Sequence, residues 1–236
     1  MTKWRDFEII GMNQCQLARL KSRIMVGDIG CIFKSIGTYY QLNSDHFNKN
    51  PMCNMFNGNS ILRFHKSASI ENHGILYMGI DPNPLFSAKC LPPMVTMEAR
   101  SKLVVNGEFN AGPGTSFWIM PDAILSLGDS SIITGNTRII CSERINIGRG
   151  SIISWNVQIM DTDLHPIGAD ATLSKEPVDI GDDVWIGSGA IVLKGVKVGD
   201  GSVIGAGSIV TRSIPPHSMA VGNPAKVVKR DIEWNM

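Results

Sequence analysis

Aliphatic residues recur at every sixth position near the end of the chain, at Ile180, Ile186, Val192, Val198, Ile204 and Val210. Glycine follows four of these six, as Gly181, Gly187, Gly199 and Gly205. A second series, always two places ahead of the next step, reads Val184, Ala190, Val196, Ser202, Ser208 and Ile214, mostly small or β-branched. Alternate side chains of an extended segment share a face, so each small residue and the aliphatic two places later both point inward. Glycine then takes the bend, where positive φ costs it nothing. An amphipathic helix needs a period near 3.6, which these positions miss. Fixed repetition of this kind predicts a parallel β-helix, an all-β solenoid with three short sides per coil and coils stacked at about 4.8 Å.

The same spacing appears upstream in two trios, Leu127, Ile133 and Ile139, then Ile147, Ile153 and Ile159. Between Ile139 and Ile147 the step is eight, which predicts two additional residues at a corner. From Ile159 to Ile180 the step is 21, leaving 15 residues looped out in an excursion over about 161–179. Excursions from a regular scaffold lie on the surface and often carry function. This one holds Asp161, Asp163, His165 and Pro166.

Toward the amino end the pattern weakens. Ala111, Phe117 and Ile119 keep no single frame, so irregular coils are expected there, beginning near Ile61. Residues 1–60 read as an irregular extension: Leu17, Leu20 and Ile24 have partial helical spacing, glycines interrupt it, and Asn43–Asn59 reads as loop. The expected division is an extension over 1–60 and a β-helix domain over 61–236. Pro215 and Pro216 have no N–H to give a sheet, so the helix is expected to stop there and leave a short carboxy-terminal tail.

Composition narrows the setting. With 236 residues and 43% hydrophobic content, one main core can be buried. The formal net charge of +1 gives neither nucleic acid nor an anionic membrane a general attraction. No apolar stretch of about 18 residues is present to span a bilayer, and Met1 to Asp6 does not open a signal-peptide pattern. The five cysteines, Cys15, Cys31, Cys53, Cys90 and Cys141, are scattered and form no metal-ligand motif. A cytoplasmic chain without a metal or an integral membrane segment is expected.

Three runs carry a resemblance: Val184-Trp185-Ile186-Gly187, the stretch from Ile204 to Thr211, and Gly222-Asn223-Pro224-Ala225-Lys226-Val227 after the paired prolines. Together they resemble the hexapeptide-repeat acyltransferases, which include maltose and galactoside acetyltransferases, xenobiotic acetyltransferases and the O-acetyltransferases of bacterial surface polysaccharides. The likeness covers roughly residues 125–230. It implies a left-handed β-helix, a homotrimer, and acetyl-CoA bound as co-substrate between neighbouring subunits. The repeat alone does not set handedness, since ordinary parallel crossovers are right-handed. The resemblance further implies that His165 deprotonates the acceptor hydroxyl. Coenzyme contacts carry over to Ser188, Ala206, Thr211, Arg212, Lys226 and Lys229, and Asn136 is a nearby candidate for the acceptor.

The chemistry suits those residue types. A neutral hydroxyl is a weak nucleophile, and a histidine of ordinary pKa near 6.5 can take its proton and return it at neutral pH. Asp161 and Asp163 either orient the imidazole and accept from sugar hydroxyls, or bond to local backbone as turn residues. Trp185 stands at an outward position, suited to a cleft or a subunit contact. Lys226, Lys229 and Arg230 form a basic cluster able to meet phosphate. Cys141 reads as a packed residue and not as a nucleophile.

The expected function is acetyl-CoA-dependent O-acetylation of a carbohydrate, free or carried on a lipid or nucleotide, as a capsule or O-antigen precursor. The alternatives are an N-acetyltransferase of a nucleotide-linked amino sugar, an antibiotic acetyltransferase, or a β-helix scaffold without catalysis. A zinc β-helix carbonic anhydrase needs three histidine ligands, and only His165 lies in the regular repeat.

Overall fold

In the computed structural model, which describes residues 55–56, 60–79, 91–166 and 174–235, the inward aliphatic residues become the core of a three-sided coil. Among the described residues, 22 strands fall into sheets of nine, seven and six, one for each side of the coil. Face one, the nine-stranded sheet, contains Ser131–Ile133, Ile152–Ile153, Trp185–Ile186 and Val203–Ile204. Face two contains Arg138–Cys141, Gln158–Met160, Ile191–Val192 and Ile209–Val210; face three contains Arg144–Ile147, Val178–Ile180 and Lys197–Val198. Pairing between coils is parallel and in register: Ile133 meets Ile153, Ile153 meets Ile186, and Ile186 meets Ile204. The six aliphatic residues from Ile180 to Val210 are all fully buried, as the period requires.

The lower coils differ from expectation in an instructive way. Ala111, Phe117 and Ile119 do hold a frame, and each is fully buried. Buried residues Met97, Val105, Ala111, Ile119 and Leu127 step by eight, six, eight and eight. Strands there are four residues long, as in Lys102–Val105 and Ser116–Ile119, against two in Ile191–Val192. A longer perimeter encloses a wider interior, and bulky Phe109, Phe117, Met78 and Met97 fill it. Upper coils enclose Ala190, Ser202 and Ser208 in the corresponding space. The solenoid therefore tapers toward its carboxy end.

Three boundaries need correction. Met55–Phe56 already pairs with Tyr77–Met78, so coiling begins before Ile61. The candidate helix at Leu17, Leu20 and Ile24 lies outside the described residues. The excursion ends sooner than 179, because Val178–Ile180 is a strand of face three. The paired prolines do not stop the coil either. Ile214 still bridges Val198, and Met219–Gly222 adds one more parallel strand beside Val203–Ile204. Pro215 and Pro216 sit on a corner, where the sheet asks for no N–H, and the Pro215 carbonyl accepts the Ser202 hydroxyl at 2.8 Å. The chain turns back only at Ala225–Lys229, antiparallel to Met219–Gly222.

Candidate active site

The excursion leaves the corner between faces two and three at the end of Gln158–Met160 and re-enters at Val178–Ile180. Its two legs pair at the base: Thr162 bridges Lys175 in antiparallel fashion, and Glu176 N–H donates to the Asp161 carbonyl at 2.9 Å. Asp161 fixes the outgoing leg from below. Its fully buried carboxylate accepts the backbone N–H groups of Ser142, Glu143 and Arg144 at 2.6, 2.8 and 2.8 Å. Those donors belong to the short corner where Arg138–Cys141 passes into Arg144–Ile147. Of the two roles expected for Asp161, the structure shows bonding to backbone, with both its oxygens serving the scaffold.

Cys141 packs beside this carboxylate, Sγ to Oδ2 3.7 Å. Burial first, and then the charge of Asp161, push its thiol far above the usual cysteine range. It is a packed residue, as expected.

From the coil above, Lys194 reaches down to both legs. Its Nζ donates to Asp163 Oδ2 and to Ser174 Oγ, each at 2.7 Å, and lies 3.9 Å from Glu176 Oε1. Asp163 is accordingly engaged with lysine through Oδ2. His165 follows two residues later. Leu164, immediately before it, has φ 62, an uncommon conformation for a branched side chain. Thr162 Oγ1 accepts the Leu164 N–H at 3.0 Å and holds that turn. The imidazole of His165 is exposed and has no partner among the described residues.

A different corner, between faces one and two, gathers Asn136, Trp155, Ser188 and Ala206. Backbone bonds stack it: Asn156 N–H donates to the Gly135 carbonyl, Gly189 N–H to that of Trp155, and Gly207 N–H to that of Ser188. Left-handed residues recur up this column at Asn136, Asn156, Gly189 and Gly207, with φ 51, 59, 71 and 68. A Cβ placed on Gly207 would meet no atom within 4 Å, so the backbone beside the exposed Ala206 faces open space. Trp155, 40% exposed, stands between Asn136 and Ser188 on this column.

Thr211 and Arg212 lie on the first corner, beyond Lys194, and both are exposed. One chain therefore puts His165, Thr211 and Arg212 at one edge of face two and Ser188 and Ala206 at the other. The span from Gly189 to Leu193 is four residues, about 13 Å of extended chain.

Lys226 and Lys229 lie on the terminal hairpin. Lys226 pairs with Val221 and, past a one-residue register shift, Lys229 pairs with Met219. That shift puts both lysines on the outer side, while Ala225 and Val227 pack against the core. Trp185 sits on the outer side of face one, 43% exposed, and donates its indole N–H to Ser154 Oγ at 3.2 Å. Trp234 from the tail packs against it at a tilt. Sequence reasoning missed Lys194 and Trp234. The signal for Lys194 was a lysine on the corner that follows the excursion; Trp234 had none, because its contact depends on how the tail returns.

Residues 177–212 match the family model for the bacterial transferase hexapeptide (six repeats). Over 144 residues the chain is 37% identical to galactoside O-acetyltransferase of Escherichia coli, covering 56% of this chain and 69% of that protein. The chain belongs to the hexapeptide-repeat transferase family. Its solenoid is the left-handed parallel β-helix of that family. Nodulation protein L of Rhizobium meliloti is 43% identical over 107 residues, covering 44% of this chain and 58% of the relative. Relatives from Schizosaccharomyces pombe and Saccharomyces cerevisiae are covered over 43% and 56%, so the chain spans about half the length of these three curated relatives. A solved galactoside acetyltransferase in complex with coenzyme A is 26% identical, with a TM-score of 0.43 over 71% of this chain and 66% of that one.

Proposed function

We propose that the chain is an acetyl-CoA-dependent O-acetyltransferase acting on a carbohydrate hydroxyl of a capsule or O-antigen precursor in the cytoplasm. The observation that carries this reading is the placement of His165. Its loop is tied to the coils below and above, while the imidazole is left open to a second molecule. Likeness to a galactoside O-acetyltransferase supports a sugar hydroxyl as the acceptor.

Acetyl-CoA, when bound, supplies the activated acyl group. His165 takes the proton from the acceptor hydroxyl as its oxygen attacks, and returns a proton to the departing thiolate; such a base contributes about 10²–10⁴-fold to rate. Lys226 and Lys229 hold phosphate oxygens, and the open backbone at Gly207, with Ser188 and Ala206, lies along the pantetheine arm. Thr211 and Arg212 complete the coenzyme contacts, with Asn136 and Trp185 on the acceptor side.

These groups lie at different edges of one prism, so the complete site is formed between copies in a homotrimer. Support comes from the outer surfaces. Face one shows Tyr77, Ile132, Ile152 and Trp185, and face two shows Trp118, Ile140, Met160, Ile191 and Ile209. Face three instead carries ion pairs, Lys102 with Glu71 and Arg144 with Asp179. Two apolar sides and one charged side suit association through the first two.

The test is thiol release from acetyl-CoA against free sugars, surface-polysaccharide fragments, nucleotide-linked amino sugars and amino-sugar antibiotics. An alkali-labile ester on a carbohydrate is expected. An alkali-stable amide on an amino sugar would replace O-transfer by N-transfer, and absence of coenzyme binding together with transfer would leave a scaffold.

A further inference from the structure

We propose that Lys194 is a positioning residue for His165: its ammonium joins the two legs of the excursion and so sets where the imidazole stands. The inference rests on the reading of His165 as general base. Lys194 belongs to the corner Leu193–Val196, which follows the strand Ile191–Val192 one coil above the departure of the excursion. It bonds Asp163 on the outgoing leg and Ser174 on the returning leg, at 2.7 Å in both cases. The side chains of Lys194 and Asp163 are only 23% and 28% exposed, so this pair is less screened than an ordinary surface ion pair.

The geometry separates two anchoring tasks. Asp161, tied to the corner Ser142–Arg144, fixes where the outgoing leg begins. Beyond that point, among the described residues, the side-chain tie holding the outgoing leg to the solenoid is Lys194 on Asp163, two residues before the base. The remaining ties at this level are the Asp163 N–H to the Ser174 carbonyl, long at 3.2 Å, and, nearer the base of the returning leg, the Gly195 N–H to the Glu176 carbonyl at 3.1 Å and Lys175 Nζ to the Ser142 carbonyl at 3.5 Å. Without the lysine the returning leg stays tied at Glu176, but Asp163 and Ser174, farther out, lose their side-chain tie to the coil above and can shift together. Displacing a catalytic group by about 1 Å is enough to cost about 10²-fold in rate.

The experiment compares Lys194→Met, Lys194→Arg and Asp163→Asn, with Lys194→Met also placed on His165→Ala. Lys194→Met should lower kcat about 10–100-fold and leave KM for acetyl-CoA within about twofold. Lys194→Arg, which keeps a cation and several donors, should recover most of the loss, and Asp163→Asn should show a smaller decrease of the same kind. On the His165→Ala background the Lys194→Met factor should vanish, since a lysine acting through the imidazole has nothing left to position. Full persistence of the factor there would overturn the proposal, as would wild-type kcat in Lys194→Met. Loss of folded trimer in Lys194→Met shifts the decision to Asp163→Asn, whose factor must likewise vanish without the histidine. Failure of the underlying reading is seen separately, as wild-type turnover in His165→Ala alone.

Discussion

The indole rings of Trp185 and Trp234 lie with centroids 6.0 Å apart and planes at 44°, so the tail packs against the outer side of face one. The same tail buries Ile232 and donates its N–H to the His217 carbonyl at 2.9 Å. Trp234 also carries a cost, because its own indole N–H is buried without a partner among the described residues. Trp234→Ala should lower unfolding free energy by about 1–3 kcal/mol through lost packing. Trp234→Phe keeps a ring and removes the unsatisfied donor, so its stability should equal or exceed that of the parent. Chemical denaturation decides the matter; equal losses in both variants would mean that the N–H is satisfied.

Asp161 makes a strong prediction for stability. Three buried N–H groups depend on its carboxylate, and each unsatisfied donor costs about 1–3 kcal/mol. Asp161→Ala should lose at least about 3 kcal/mol in denaturant unfolding. A loss below about 1 kcal/mol would show that the corner relaxes or that water replaces the carboxylate.

Reactivity of Cys141 follows from the same pocket. Burial and the neighbouring carboxylate hold the thiol protonated well beyond neutral pH, and the thiolate is the reactive form. Iodoacetamide at mildly alkaline pH should leave the Cys141 peptide unmodified in the folded protein and label it once the chain unfolds. Rapid labelling of the native protein, read by peptide mass, would place the thiol in a far more open setting.

The two lysines of the terminal hairpin should act on coenzyme affinity and not on turnover. One charge-assisted bond to phosphate contributes about 1.5–3 kcal/mol, so Lys226→Ala or Lys229→Ala should raise the coenzyme A dissociation constant about 10–100-fold. Titration calorimetry at low and moderate salt reads this directly. An unchanged constant removes that lysine from the site.

Much of the scaffold was legible because the sequence repeats its geometry. Each aliphatic residue from Ile180 to Val210 occupies the inward position its spacing required, whereas the step of eight after Ile139 marks two longer strands, Arg138–Cys141 and Arg144–Ile147, that meet across a short corner. The lower coils do not follow a single six-residue period, because Phe117 and Ile119 lie on strands of four residues and the buried positions there step by eight as well as six. The paired prolines do not stop the coil because they occupy a corner, where no N–H is needed by the sheet. In the excursion, sequence pointed to the segment but not to the duties of its acids: Asp161 caps a corner about 20 residues upstream, and Asp163 answers a lysine 31 residues downstream. Such pairings follow from coil stacking, which no local window contains.

The most direct measurement is turnover of His165→Ala at saturating acetyl-CoA, with coenzyme binding measured on the same protein. The expected result is a fall of about 10²–10⁴-fold in kcat with the dissociation constant unchanged. Wild-type turnover in that variant would contradict the assignment of His165 as the base.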